Sequence, residues 1–157
     1  MEVQPIKRHS SFVKYSREHH FGLLLVLRVR RGVGANTDAV RIKEYVLNFF
    51  GSALYPHFIS EEKLMFPLME ANDSLRVRCE TEHRSIYALI NRMKTFPPDP
   101  TLLSEFADQL EKHIRFEERE LFTHLEKTIE KATLEKIFEE ESKLTVNEPE
   151  WTDKFWK

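Results

Sequence analysis

Apolar residues recur along this chain at spacings of three and four through four long segments, which marks one buried face of an α-helix in each. The first, 11–31, carries Val13, Ser16, His20, Leu23 and Leu27. It stops at Gly32-Val33-Gly34, where glycine can take the left-handed conformation that closes a helix. The second opens after Thr37 as N-cap and runs from Asp38 to Phe66 or Met69, with Val46, Phe50, Ala53, His57, Glu61, Leu64 and Leu68 in phase. Pro56 deletes a helical hydrogen bond there and predicts a kink between Gly51 and Pro56. The third, from Asn72 or Asp73 to Lys94, puts Cys79, His83, Ile86 and Ile90 on one face. Asp99 followed by Pro100 is an N-cap with proline at the first helical position. It opens the fourth segment, which reaches Thr128 through Phe106, Leu110, His113, Glu117, Leu121 and His124. A shorter helix is expected over 133–141. The tail 146–157 has no period, and its Trp151, Phe155 and Trp156 are expected to dock on the bundle or on a partner. Short connections make successive helices antiparallel. The expected fold is all-α, an up-down-up-down four-helix bundle over about 11–128 with an extra helix and tail at 129–157, all within one domain of residues 1–157.

Composition narrows the function. At 157 residues, 41% hydrophobic and 32% charged, the chain can bury a real core and is not a disordered segment. Only 4 glycines argue against β-sandwiches and Gly-rich phosphate loops. A net charge of −2 removes the basic footprint expected of a nucleic-acid binder. The single cysteine, Cys79, excludes an internal disulfide and an all-cysteine zinc cluster. No apolar run approaches the roughly 20 residues of a membrane span, and Met1–Arg8 lacks the apolar segment of a signal peptide. The expectation is a soluble, cytoplasmic protein with neither nucleic acid nor membrane as a partner.

What interrupts the apolar faces is more informative. Each helix places a histidine in mid-stripe, and the second and fourth add a carboxylate one turn later. A buried carboxylate or imidazole without a partner is costly. Four imidazoles with two carboxylates at similar heights call for metal cations to neutralise them. One such residue alone would read as an ordinary hydrogen-bonded core histidine, and one His-x-x-x-Glu pair as ordinary helical spacing. Four faces at once are harder to explain that way. The chain also repeats itself: His57-Phe58-Ile59-Ser60-Glu61-Glu62-Lys63-Leu64-Met65-Phe66 aligns without gaps with His113-Ile114-Arg115-Phe116-Glu117-Glu118-Arg119-Glu120-Leu121-Phe122. The single histidines repeat too, His20-x-x-Leu23-x-x-Val26-Leu27 with His83-x-x-Ile86-x-x-Leu89-Ile90. Two αα-hairpins related by a pseudo-twofold axis are expected, each supplying one single His and one His-x-x-x-Glu. His19 and His20 point about 100° apart on a helix. His20 is preferred, because Leu23, Leu24 and Leu27 follow it as apolar residues follow His83.

These paired His-x-x-x-Glu-Glu blocks resemble the hemerythrin-like (HHE cation-binding) domain family, from about Glu18 to Glu126. The resemblance implies a four-helix bundle around a non-haem centre of two iron ions. It implies His20, His57, His83 and His113 as terminal ligands and Glu61 and Glu117 as bridging carboxylates. The oxygen-carrying hemerythrins have two histidines one turn apart on the third helix, where this chain has Cys79 before His83. Their fourth-helix motif ends in Asp at a spacing of five, where this chain has Glu117 at four. Both departures point to the wider bacterial group rather than to the respiratory carriers. The ligand set also suits zinc or another divalent metal. The favoured function is binding or sensing of oxygen, iron or redox state, with dioxygen, peroxide or nitric oxide as the small-molecule partner and a protein partner to read any signal. The alternatives are a di-iron enzyme acting on peroxide or nitric oxide or repairing iron centres, and a metal-free helical interaction module. Glu62 and Glu118 are expected to face solvent or support a ligand histidine, His124 to be a polar bystander, and Cys79 to be a buried, inert thiol.

Overall fold

The computed structural model describes residues 8–157; Met1–Lys7, the stretch without a signal-like apolar segment, lie outside the described residues. The first rod of the bundle is α1 (Ser10–Gly34), and the second joins α2 (Ala39–Phe49) to α3 (Tyr55–Leu64) through a π-helical turn. The third is α4 (Ser74–Thr95), and the fourth joins α5 (Pro100–Phe116) to α6 (Phe122–Thr128) through a second π-helical turn. The short helices α7 (Lys131–Ile137) and α8 (Glu139–Ser142) replace the single helix expected over 133–141. Asp38, Asp73 and Asp99 each accept a hydrogen bond from the backbone N–H two residues on, so the second rod is capped by Asp38 and not by Thr37. Cross-rod pairs fix the topology. Arg8 with Glu126, His19 with Glu118 and Arg30 with Asp108 run α1 against the fourth rod in opposite directions. Glu62 with His83 and Lys43 with Phe96 do the same for the second rod and α4. The bundle is up-down-up-down.

Proline and glycine act here through packing. The π turn Phe50–Leu54 ends two residues before Pro56 and stands where the kink was expected. Proline cannot donate the helical bond and its ring crowds the carbonyl one turn back, and the wider turn accommodates both. It also shifts the phase locally, so Leu54 is buried where Ala53 was expected; past Glu61, Met65 and Met69 are buried where Leu64 and Leu68 were expected. No glycine has positive φ; Asn36 takes the left-handed turn after α1. Gly32 is needed for a different reason: a Cβ there would lie 2.8 Å from the Phe155 ring and 2.9 Å from Ile42. Phe155 and Trp156 pack on Tyr45, and Arg28 lies 4.3 Å above Trp156. The tail therefore docks on its own bundle. Gly32→Ala is expected to destabilise by about 1–2 kcal/mol through overpacking, lowering the melting midpoint by a few degrees. Gly34→Ala, with nothing within 4 Å of its Cβ, is expected to be neutral or stabilising. Equal midpoints for the two variants would contradict this packing role.

The core is divided. One apolar cluster runs from Leu25, Val29, Ile42 and Phe49 to Phe106 and Leu110. The other gathers Phe12, Tyr15, Met65, Phe122 and Leu125 with Leu134 of α7 and Phe138. Between them lies a buried polar layer of His19, His57, Glu61, His83, His113 and Glu117.

Candidate metal centre

On α1 the buried face is Phe12, Tyr15, His19, Gly22, Val26 and Val29. His20 is exposed and Leu27 is 44% exposed, so the histidine of α1 that enters the buried layer is His19 and not the expected His20. The cause is Gly22. Its missing side chain lets α1 approach α5, with Ile114 only 2.8 Å from where a Cβ would stand. Glycine contributes nothing apolar to the stripe, so the helix face is displaced by one residue from the run of leucines. The other five expected residues all lie in the layer: His57 and Glu61 on α3, His83 on α4, His113 on α5, and Glu117 at the start of the second π turn. That turn lets Phe116 and Glu117, then Leu121 and Phe122, face inward in adjacent pairs.

All four imidazoles present Nε2 to the middle of the layer. His19 Nε2 lies 2.8 Å from Glu117 Oε1 and 3.1 Å from His57 Nε2. His57 Nε2 and His83 Nε2 each lie 3.3 Å from Glu61 Oε1, and His113 Nε2 lies 3.3 Å from Glu117 Oε1. Each Nδ1 turns outward to a carboxylate on another rod. His19 meets Glu118 at 2.8 Å, His57 meets Glu18 at 3.1 Å, His83 meets Glu62 at 2.8 Å, and His113 meets Glu82 at 2.7 Å. These outer carboxylates are anchored in turn by Lys14 on Glu18, Tyr87 on Glu62, Arg78 on Glu82 and Arg8 on Glu118. An Nδ1–H donated to a carboxylate fixes the tautomer, aims the ring and leaves Nε2 as a lone-pair donor. The pseudo-twofold is complete: Glu18-His19 matches Glu82-His83, and Glu61-Glu62 matches Glu117-Glu118.

Burial opposes charge on every imidazole, but the surrounding carboxylates outweigh it. His19, His57 and His83 are raised above the ordinary histidine range, and His113 to about 10. Burial would raise Glu117, but the His113 charge and the hydrogen bonds of the layer hold it well below the usual carboxylate range. Without a metal the layer thus balances its negative charge with protons on histidine. Hydrogen bonding is nevertheless incomplete. Both oxygens of Glu61 and Nε2 of His113 are buried without a hydrogen-bond partner, their 3.3 Å approaches lacking the geometry of a bond. Such atoms are costly unless something else satisfies them. Two groups of ligand atoms, each within 4.8 Å of one another, supply what a cation needs: His19-His57-Glu61-Glu117 and Cys79-His83-His113-Glu117. Glu117 is common to both.

A family model described as the hemerythrin HHE cation-binding domain matches residues 12–125. The chain belongs to this family. No curated protein and no solved structure matches it significantly. In this hemerythrin-like domain the outer carboxylates Glu18 and Glu82 escaped the sequence reading. The signal was present: Glu18-His19-x-x-Gly22-x-x-Leu25-Val26-x-x-Val29 aligns with Glu82-His83-x-x-Ile86-x-x-Leu89-Ile90-x-x-Met93. Beyond the two glutamates, every named position in that alignment is buried. His124 sits outside the layer, 3.8 Å from Asp73, and Glu80 pairs with Arg76. Near the end of α1, Arg28 reaches Tyr45 and Arg30 reaches Asp108. His19→Ala is expected to lower metal content sharply while His20→Ala leaves it unchanged, measured by elemental analysis of identically purified protein. The reverse pattern would restore the leucine-run phase.

Proposed function

We propose that this domain holds two iron ions in a carboxylate-bridged centre and uses them to bind or sense dioxygen or a related small oxidant. The observation that carries the reading is Glu61: fully buried, both oxygens without a hydrogen-bond partner, and facing the Nε2 atoms of two histidines from different rods. His19, His57, His83 and His113 would be terminal donors, and Glu61 and Glu117 the carboxylates between the ions. Bound there, the ions would supply a redox-active site for dioxygen, peroxide or nitric oxide. The rest is done by the chain. Glu18, Glu62, Glu82 and Glu118 orient the imidazoles, and the two apolar clusters keep bulk water from the layer. A cavity of about 160 Å³ adjoins His19 and His57, lined by Leu54, Phe58, Leu110 and Ile114 and covered by Thr145–Asn147, which gives a small molecule a place beside the first group of ligands. Imidazole and carboxylate donors also suit zinc. No helix among the described residues is long and apolar enough to cross a membrane.

The test is metal analysis of the purified protein with an absorption spectrum recorded in air. Two irons per chain with the charge-transfer absorption of a di-iron centre are expected. Protein that takes up no metal from iron- or zinc-supplemented buffer would overturn the reading. Peroxide consumption above that of free iron would favour a di-iron enzyme instead.

A further inference from the structure

Resting on the metal centre just proposed, we infer that Cys79 Sγ is a metal ligand and that the centre is built from two chemically unequal positions. The first is His19-His57-Glu61-Glu117, with nitrogen and oxygen donors only. The second is Cys79-His83-His113-Glu117, with one sulfur.

The geometry is that of ligands around a common point. Cys79 is fully buried on α4, one turn before His83, with Sγ 3.5 Å from Glu117 Oε2 and 3.8 Å from His83 Nε2. Around a tetrahedral ion with ordinary metal–sulfur and metal–nitrogen or metal–oxygen bonds, such donor pairs stand about 3.6 Å apart. A second observation points the same way. His113 Nε2, in the same group and 1% exposed, has no hydrogen-bond partner. His113 offers its ligand nitrogen within 4.8 Å of Cys79 Sγ, so an ion held there is within reach of the sulfur.

The pseudo-twofold sharpens the assignment. The residue one turn before His19 is Tyr15, which occupies the place of Cys79 in the other half. Its hydroxyl is engaged by Ser60 Oγ at 2.6 Å. The two halves are therefore alike in imidazoles and carboxylates and differ at this one position. Without a metal, the Cys79 thiol donates to Glu117. Burial, with Glu117 and Glu61 nearby, favours the neutral thiol. A divalent ion would displace that proton to solvent as the metal–sulfur bond forms, with no change of oxidation state. Thiolate is the soft donor, so the second position should prefer zinc, cobalt or iron over harder ions and should be emptied last by chelator.

Cobalt(II) is the probe, because a thiolate ligand gives it a near-ultraviolet charge-transfer band that nitrogen and oxygen donors do not. Two cobalt ions per chain are expected, with that band and one sulfur scatterer at about 2.3 Å by X-ray absorption. In Cys79→Ala and Cys79→Ser the band should vanish and the tightly held ion should become chelator-labile. The wild-type X-ray absorption decides the matter even where a variant fails to fold. Two cobalt ions with nitrogen and oxygen neighbours alone would overturn the role of Cys79 and leave the metal centre standing. No cobalt bound at all would overturn both.

Discussion

Glu117→Ala is expected to leave the protein with almost no bound metal, whereas Glu118→Ala, one residue away, retains both ions. Glu117 is the one residue shared by the two ligand groups, and its oxygens lie 2.8 Å from His19 Nε2, 3.3 Å from His113 Nε2 and 3.5 Å from Cys79 Sγ. Its removal takes a donor and a neutralising charge from each position at once. Glu61→Ala is expected to follow it, because Glu61 faces both His57 and His83. Of the four imidazoles Glu118 reaches the outer Nδ1 of His19 alone, so its loss loosens one ring and should cost about 10- to 100-fold in affinity. Glu62→Ala should behave likewise through His83. Glutamine variants retain side-chain shape and separate loss of charge from loss of packing. The readout is metal per chain after identical purification, with helicity monitored alongside. If Glu118→Ala or Glu62→Ala emptied the centre while Glu117→Ala kept two ions, the inward and outward carboxylates would have been interchanged.

The second, third and fourth rods were largely legible in sequence, because their histidines sit among apolar residues whose spacing the helix preserves. His83 is followed by Ile86 and Ile90, both buried, and nothing in α4 interrupts the phase. Alignment of His57 with His113 carried Glu61 and Glu117 with it, since a gapless repeat fixes all four together. Two physical effects hid the rest. A π turn adds a residue to one turn of helix, so the face computed through Ala53 is one position out at Leu54. Glycine at a helix crossing is selected for what it lacks, and a hydrophobic stripe has no term for it; α1 was therefore assigned to its outer leucines and His20. Hydrogen bonds between rods, such as Glu18 to His57 and Glu82 to His113, belong to no single helix. They became visible only once the rods were placed side by side. Cys79 is buried as its place on the apolar face of α4 predicts, but its contact with Glu117, 38 residues away, belongs to no single helix either.

Metal should stabilise this domain more at alkaline than at acidic pH. Metal-free, His113 keeps its proton up to about pH 10 against an unfolded value near 6.5, and His19, His57 and His83 are raised as well. For a group raised on folding, the stabilisation is fully present below the unfolded value and disappears as pH climbs through the folded one. The metal-free layer therefore loses support between about pH 6.5 and 10, as its histidine protons leave and the charge of Glu117 loses its partners. Metal binding has the opposite dependence. Coordination needs neutral imidazole, so each proton displaced raises apparent affinity about tenfold per pH unit within that window. Binding adds stability in proportion to the logarithm of that affinity. The gap in melting midpoint between metal-loaded and chelator-treated protein, at a buffered free-metal concentration, is thus expected to widen from pH 6 to pH 9. Loading the metal at pH 7 should release protons into a weakly buffered solution, and acidification should expel the ions cooperatively because the four histidines share one layer. A midpoint indifferent to chelator at every pH would remove the metal from the account of stability. A gap that did not widen as pH rose would mean that the imidazoles are already neutral in the metal-free protein and that the charge of Glu117 is balanced by something other than histidine protons.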